Sequence, residues 1–256
     1  MVNGSSEHRV SGAGSSRKLL NTLLCFTEQR PTWTVAELSN QLDLSATSTY
    51  RYVALLREVG LLEGAPDSAY RVTDMAIGLA AACEAARPPL MDIALPYITR
   101  IRDEIDETVL IARRSGDAVY CVDRVESRRP VRLQFDRGQA MSLHRGSMAR
   151  VLLAAMTPRE RDEHLAKVLP TLDPAAVSLL GHESLDAVHA EGWTESYEEV
   201  DDGIWGTAAA ITSHGKVVAS IGTAAPIFRT DAHRRTRIIP LIRDAGQEIS
   251  AVLTGA

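Results

Sequence analysis

The chain has 256 residues, 45% of them hydrophobic and 24% charged, which exceeds the roughly 100–200 residues of one domain and implies two cores. Its 28 basic and 33 acidic side chains leave a formal charge of −5. That balance excludes a protein coating nucleic acid by charge alone, since such binding is driven by neutralised phosphates.

No stretch approaches the roughly 18 uninterrupted apolar residues of a spanning helix, and no apolar run follows a basic start. A cytoplasmic protein with no membrane partner is expected. Cys25, Cys83 and Cys121 are odd in number and widely separated within apolar runs. They predict three buried thiols, with neither a disulfide framework nor a metal site.

Residues 1–15 are Gly/Ser-rich without apolar periodicity and read as a disordered tail. Leu19, Leu20, Leu23 and Leu24 recur at helical spacing behind a Ser15 or Ser16 cap, giving a first helix that ends before Pro31. Thr34 followed by Glu37 is a capping box for a second helix carrying Ala36, Leu38 and Leu42. After the turn at 43–45, Ser45 caps a third helix with Thr49, Tyr52, Val53, Leu56 and Val59 on one face and Gly60 as the stop. Two strand-like pieces, 61–63 and 70–72, flank turn-forming residues 64–68. Helix, helix, turn, helix, hairpin is the order of a winged helix-turn-helix domain, placed at 16–74.

An alanine-rich helix, 75–86, runs to the boundary at Pro88 and Pro89, so residues 75–88 form a linker. Leu90, Ile93, Tyr97, Ile98, Ile101 and Ile105 mark an amphipathic helix kinked by Pro96. Strands are predicted at 108–114 and 118–125 around a 115–117 turn, at 131–135 by alternation, and at 208–212 and 217–222 around 213–215. Helical stretches are predicted at 147–155, 158–168, 174–191 and 231–253. Strands and helices mix without regular alternation, so the second domain, 89–256, is read as α+β with an antiparallel sheet flanked by helices.

The major groove accepts one helix, whose first turns reach the base edges. Here those turns expose Ala46, Thr47, Ser48, Tyr50 and Arg51. Short hydroxyl side chains permit close approach, and Arg51 can bind guanine or phosphate. Thr34, Arg57 and the wing residue Arg71 complete the candidate interface with double-stranded DNA, and Lys18 and Arg30 could add phosphate contacts. Within residues 1–75, seven basic side chains (Arg9, Arg17, Lys18, Arg30, Arg51, Arg57, Arg71) face eight acidic ones (Glu7, Glu28, Glu37, Asp43, Glu58, Glu63, Asp67, Asp74). Binding must therefore depend on a few placed groups.

Nothing marks an enzyme. The segment 146–149 lacks the second glycine of a nucleophile elbow, no phosphate-binding or dinucleotide fingerprint occurs, and no cofactor is expected. His182 and His189 lie on a solvated helix face without supporting ligands. His144 reads as a structural histidine at a strand end.

These residues together resemble the isocitrate lyase regulator (IclR) family of bacterial transcription factors. The stretch from Thr34-Val35-Ala36-Glu37-Leu38 through Ser48-Thr49-Tyr50-Arg51-Tyr52 is similar to the family's winged helix. Three further segments match in order: Glu107–Leu110 with Asp123–Ser127; Leu143-His144 through Ala149–Ala154; and Gly192-Trp193 through Glu198-Glu199 to Gly203. The resemblance implies a GAF-like effector-binding domain that takes a small metabolite, and homodimers or dimers of dimers on pseudo-palindromic operators. It also implies a pocket lined by Arg145, Gly146, Ser147 and Met148, and by Ser196, Gly206, Gly222 and Ala224, with Leu133, Met141, Ile204 and Trp205 around them.

The family usually has an acid where Ser196 stands, a cysteine at Gly206 and serines at Gly222 and Ala224. Loss of these polar anchors argues against a small hydrophilic acid such as glyoxylate or pyruvate. Arg145, where alanine is common, and the backbone amides at the helix start could hold an anion. A larger, more apolar ligand, such as an aromatic or acyl acid, is therefore expected. Two alternatives stay open: Trp205 fills the space and the pocket is degenerate, or the winged helix serves a dimerisation or adaptor protein.

Overall fold

The computed structural model describes residues 12–86 and 89–255. The chain divides into two compact units, Met1–Pro88 and Pro89–Ala256. Most of the expected tail, and Arg87 and Pro88 of the expected linker, lie outside the described residues.

In the first unit, helix α1 (Gly14–Leu24) starts two or three residues earlier than a Ser15 or Ser16 cap would place it. Its N-cap is Ala13, without a side-chain bond. Ser15 is inside the first turn, its hydroxyl 3.2 Å from the Tyr52 hydroxyl. Thr34 caps α2 (Val35–Leu42) through the predicted box. Thr34 Oγ1 accepts from Glu37 N–H at 3.3 Å, and Glu37 Oε2 accepts from Thr34 N–H at 2.8 Å. Asp43 turns the chain in the left-handed region (φ 51°), and Ser45 caps α3 (Ala46–Glu58).

The wing has three strands rather than two: β1 (Thr32–Thr34), β2 (Leu62–Gly64) and β3 (Ala69–Val72), ordered β1-β3-β2. Strand β1 was not legible because three residues that end in a helix cap show no alternation. It exists because Trp33 pairs with Tyr70. The core joins Trp33, Leu38, Val53, Leu56 and Leu62, with Leu19 and Leu23 packed against them. Each such aliphatic side chain contributes about 1.5–3 kcal/mol when fully buried. Val59, expected on that face, is exposed because α3 ends there and Gly60 (φ 80°) redirects the chain.

Helix α4 (Met75–Ala85) buries no residue. Cys83 is consequently exposed, against expectation, and Cys25 is half-buried; only Cys121 is buried, and its thiol is pushed up to about 11 by that burial.

The second unit is a six-stranded sheet in three layers. Helix α5 (Leu90–Ile105) runs through Pro96. Strands β4 (Val109–Ser115), β5 (Ala118–Val125), β6 (Ala140–Ser142), β7 (Trp193–Tyr197), β8 (Ile204–Ser213) and β9 (Lys216–Pro226) form an antiparallel sheet ordered β6-β5-β4-β9-β8-β7. Residues 131–135 form no strand; the Leu133 carbonyl instead accepts from Thr108 Oγ1 at 3.0 Å, and β6 is the third strand of that half. The predicted helix over 174–191 breaks at Gly181 into α8 (Pro174–Leu179) and α9 (His182–Glu191). Between β6 and α8 lie α6 (Ser147–Ala154) and α7 (Pro158–Val168), and α10 (Ala232–Gly255) closes the chain.

Side chains alternate across each strand, so one face of the sheet packs on α5 and α10 and the other on α6, α7 and α9. Ile111, Trp205, Ala209, Ile211 and Ile221 join Ile98, Ile242 and Ile249 on the first face. Ala112, Val119 and Ala208 join Leu152, Leu153, Leu165 and Leu185 on the second.

Candidate nucleic-acid interface and ligand hollow

Helix α3 holds its place through one face and leaves the other to solvent. Thr49, Tyr52, Val53 and Leu56 are buried, and the Thr49 hydroxyl accepts from Ser39 at 3.0 Å. Ala46, Thr47, Tyr50 and Arg51 are exposed on the opposite face, Tyr50 to 61%. Ser48 is half-buried, its hydroxyl accepting from Ser45 at 2.9 Å.

The remaining basic groups are partly engaged. Arg57 lies over the Tyr70 ring at 5.7 Å. Arg71 pairs with Glu63 at 2.6 Å across the hairpin. Arg30 pairs with Glu37 at 2.5 Å and stacks on Trp33. Thr34 is committed to its capping box.

In the second unit Ser147, Met148, Ser196, Gly206 and Gly222, of the residues predicted to line a pocket, meet on the α6 face of β8 and β9. Gly206 pairs with Ala224, Ala208 with Gly222 and Ala210 with Ser220, so six small residues make a hollow in the sheet surface that Met148, Ser147 and Ser196 fill. The start of α6 sits over it. A Cβ on Gly222 would lie 2.8 Å from Met148 Cγ, and one on Gly206 would lie 3.0 Å from Ser196 Oγ and 3.3 Å from Ser147 Oγ. Ser147 and Ser196 are buried, and the buried Ser220 hydroxyl has no hydrogen-bond partner among the described residues. Ala224 and Ile204 are only partly buried.

Two charged residues that sequence reading did not single out fix α6. Arg150, on the buried side of the helix, binds Glu199 at 2.8 Å and also donates to the Glu195 carbonyl. Glu199 Oε2 accepts from the Gly146 N–H at 3.0 Å. Their sequence signal was a charge at a core-facing helical position, which is costly unless paired.

Residues 84–251 match the family model described as bacterial transcriptional regulator IclR C-terminal, and residues 17–66 match the IclR helix-turn-helix domain. The chain belongs to the IclR family. It is a DNA-binding transcription regulator, not an enzyme. The regulator KipR of Bacillus subtilis is 28% identical over 240 residues, covering 92% of this chain and 94% of that protein. The Pca regulon regulatory protein of Pseudomonas putida is 24% identical over 246 residues, covering 92% and 82%. A solved IclR homolog complexed with 4-hydroxybenzoate, from Microbacterium hydrocarbonoxydans, superposes with a TM-score of 0.77 at 22% identity, covering 94% of this chain and all (100%) of that one.

Not every residue expected at the family's pocket is brought to the hollow. Trp205 points to the opposite face, among the α5 and α10 residues, because Gly206 beside it faces α6. Its indole N–H donates to Glu195 Oε1 at 2.8 Å. Trp205 therefore does not fill the hollow; Met148 occupies it above Gly222. Arg145 is exposed, and Leu133 lies in the irregular segment before β6. Met141, on β6, packs against the α6-side core. No described helix is long and apolar enough to cross a membrane.

Proposed function

We propose that a small organic acid with an apolar body, of which an aromatic carboxylate is the best fit, enters the hollow between α6 and strands β8 and β9 and thereby sets operator affinity. The observation carrying this reading is the floor of Gly206, Ala208, Ala210, Gly222 and Ala224 with the unpaired Ser220 hydroxyl on the same face. A buried polar group without a partner is costly, and a ligand that hydrogen-bonds Ser220 removes that cost. Met148 is unbranched and can leave the notch over Gly222 by rotation. The apolar floor disfavours glyoxylate or pyruvate, whose charge would exceed their buried hydrocarbon. The 4-hydroxybenzoate complex of the Microbacterium homolog supports the aromatic class.

On the DNA side, Thr47, Tyr50 and Arg51 read bases while Ser48, Arg57 and a released Arg71 meet phosphates. Two copies work together on a pseudo-palindromic site. The support is α4, whose Met75, Ile77 and Leu79 are all more than half exposed and are the kind of apolar face a second copy covers.

Calorimetric titration with 4-hydroxybenzoate, benzoate, glyoxylate and pyruvate, followed by gel shift on the protein's own promoter fragment, tests the reading. The aromatic acids bind and alter the shift. Tight binding of the small acids with none of the aromatic ones overturns it.

A further inference from the structure

A second cleft lies at the edge of the sheet on the α10 side, away from the hollow. Strand β7 begins at Trp193 and covers β8 only from Trp205 to Ala209, whereas β8 continues to Ser213. The uncovered stretch is tied off by other groups: the Ala210 N–H donates to the Gly192 carbonyl at 2.7 Å, and the Thr212 N–H donates to Ser250 Oγ of α10 at 2.8 Å. The space left beside it has a volume of about 290 Å³, close to the lower end of the roughly 300–1,000 Å³ of small-molecule sites.

The walls of this cleft carry opposite charges that do not meet. Arg243, from α10, and Glu191, from the end of α9, both line it. Neither has an ion-pair partner within 4 Å among the described residues. The Arg243 guanidinium lies over the Trp193 ring, 4.8 Å from its centroid, which holds a planar cation in place. Gln247 also faces the cleft, and Ala209 supplies an apolar floor, with the backbone of Ala210 at its edge.

We infer that this cleft binds a zwitterionic α-amino acid with an apolar side chain. The carboxylate pairs with Arg243, whose planar donors suit it. The ammonium pairs with Glu191, and the Gln247 amide donates to the second carboxylate oxygen. The side chain lies against Ala209 and the edge of Trp193. A plain anion would meet repulsion from Glu191 and a plain amine from Arg243, so the paired charges select for both groups on one small molecule.

The test is calorimetric titration of the full chain with L-leucine, L-methionine and L-phenylalanine. Alongside run 4-methylpentanoate and 3-methylbutylamine, which are leucine without its amine and without its carboxylate. At least one amino acid binds saturably, both leucine fragments bind more weakly by about tenfold or more, and Arg243→Gln and Glu191→Gln each weaken the amino acid by a similar factor. Both side chains are exposed, so circular dichroism of each variant is expected to match the parent. Absence of saturable binding for all three amino acids overturns the inference. So does binding that survives both substitutions, or a fragment that binds as tightly as its parent.

Discussion

Glu199 reaches from the loop after β7 to Arg150 in α6, with Oε1 2.8 Å from Nη2, while its other oxygen takes the Gly146 N–H at the head of that helix. One carboxylate thus satisfies a buried guanidinium, whose side chain is 5% exposed, and a helix-start amide.

Removing one member of that pair strands the other in the interior, at a cost of about 3–5 kcal/mol. Glu199→Gln is expected to lower the urea midpoint by that order, and Arg150→Met to cost less because the carboxylate it leaves keeps the Gly146 N–H as a partner. Equal small effects for both would refute the pairing as a stabilising contact.

The two glycines of the hollow are not equivalent. At Gly222 a Cβ meets the Thr207 carbonyl oxygen at 2.8 Å as well as Met148, whereas at Gly206 it meets the Ser196 hydroxyl at 3.0 Å and a strand carbonyl, that of Thr223, only at a looser 3.2 Å. A side chain rotates away; a strand carbonyl does not. Gly222→Ala should destabilise by about 1–3 kcal/mol, with little rescue from Met148→Ala, and Gly206→Ala by clearly less. Thermal melts of the three proteins decide.

Arg51 is exposed in the first turns of α3, so Arg51→Ala is expected to weaken operator binding by roughly 1–3 kcal/mol if it reads a base. Arg71 is held by Glu63 in an exposed pair. Glu63→Gln frees it, which should steepen the plot of log affinity against log salt by about one phosphate contact, roughly 0.9, with a stability change under about 1 kcal/mol. An unchanged slope assigns Arg71 to the wing rather than to DNA.

Burial, with His164 5.6 Å away between ring centroids and Arg145 adding a further cation, holds the His144 imidazole down at about 4. His164 is lowered as well, chiefly by burial. The unfolded chain takes up a proton near pH 6.5 that the folded chain refuses until about pH 4. Stability is therefore complete above about pH 6.5 and falls as pH drops through that window. His144→Gln should flatten the urea midpoint between pH 6.5 and 4.5; a profile identical to the parent would remove His144 from the account.

How much of this was legible follows from where the signals reside. The capping box at Thr34 and Glu37, the Ser45 cap and the buried stripe of α3 are local: a side chain meets the backbone three residues on, or a neighbour one turn away. The sequence alone therefore determined the recognition helix, its exposed residues and the order of the winged helix. The same was true of the β4–β5 and β8–β9 hairpins, whose turns sit between alternating residues. The resemblance to the IclR family also brought the chemistry of Ser147, Met148, Ser196, Gly206, Gly222 and Ala224 into one list.

Tertiary structure alone decided the rest. Strand β1 exists only by pairing with β3, and β7 only by pairing with β8, since an edge strand of three to five residues has no periodicity of its own. The face on which Trp205 lies depends on strand register, because a shift of one residue exchanges the two faces. Register placed Trp205 in the α5–α10 core and left Gly206, Gly222 and Ser220 under α6. The ion pair of Arg150 and Glu199, 49 residues apart, and the cleft shared by Glu191 and Arg243 arise from packing between elements distant in the chain. No local pattern encodes such a meeting, because its free energy appears only once the sheet has brought the elements together.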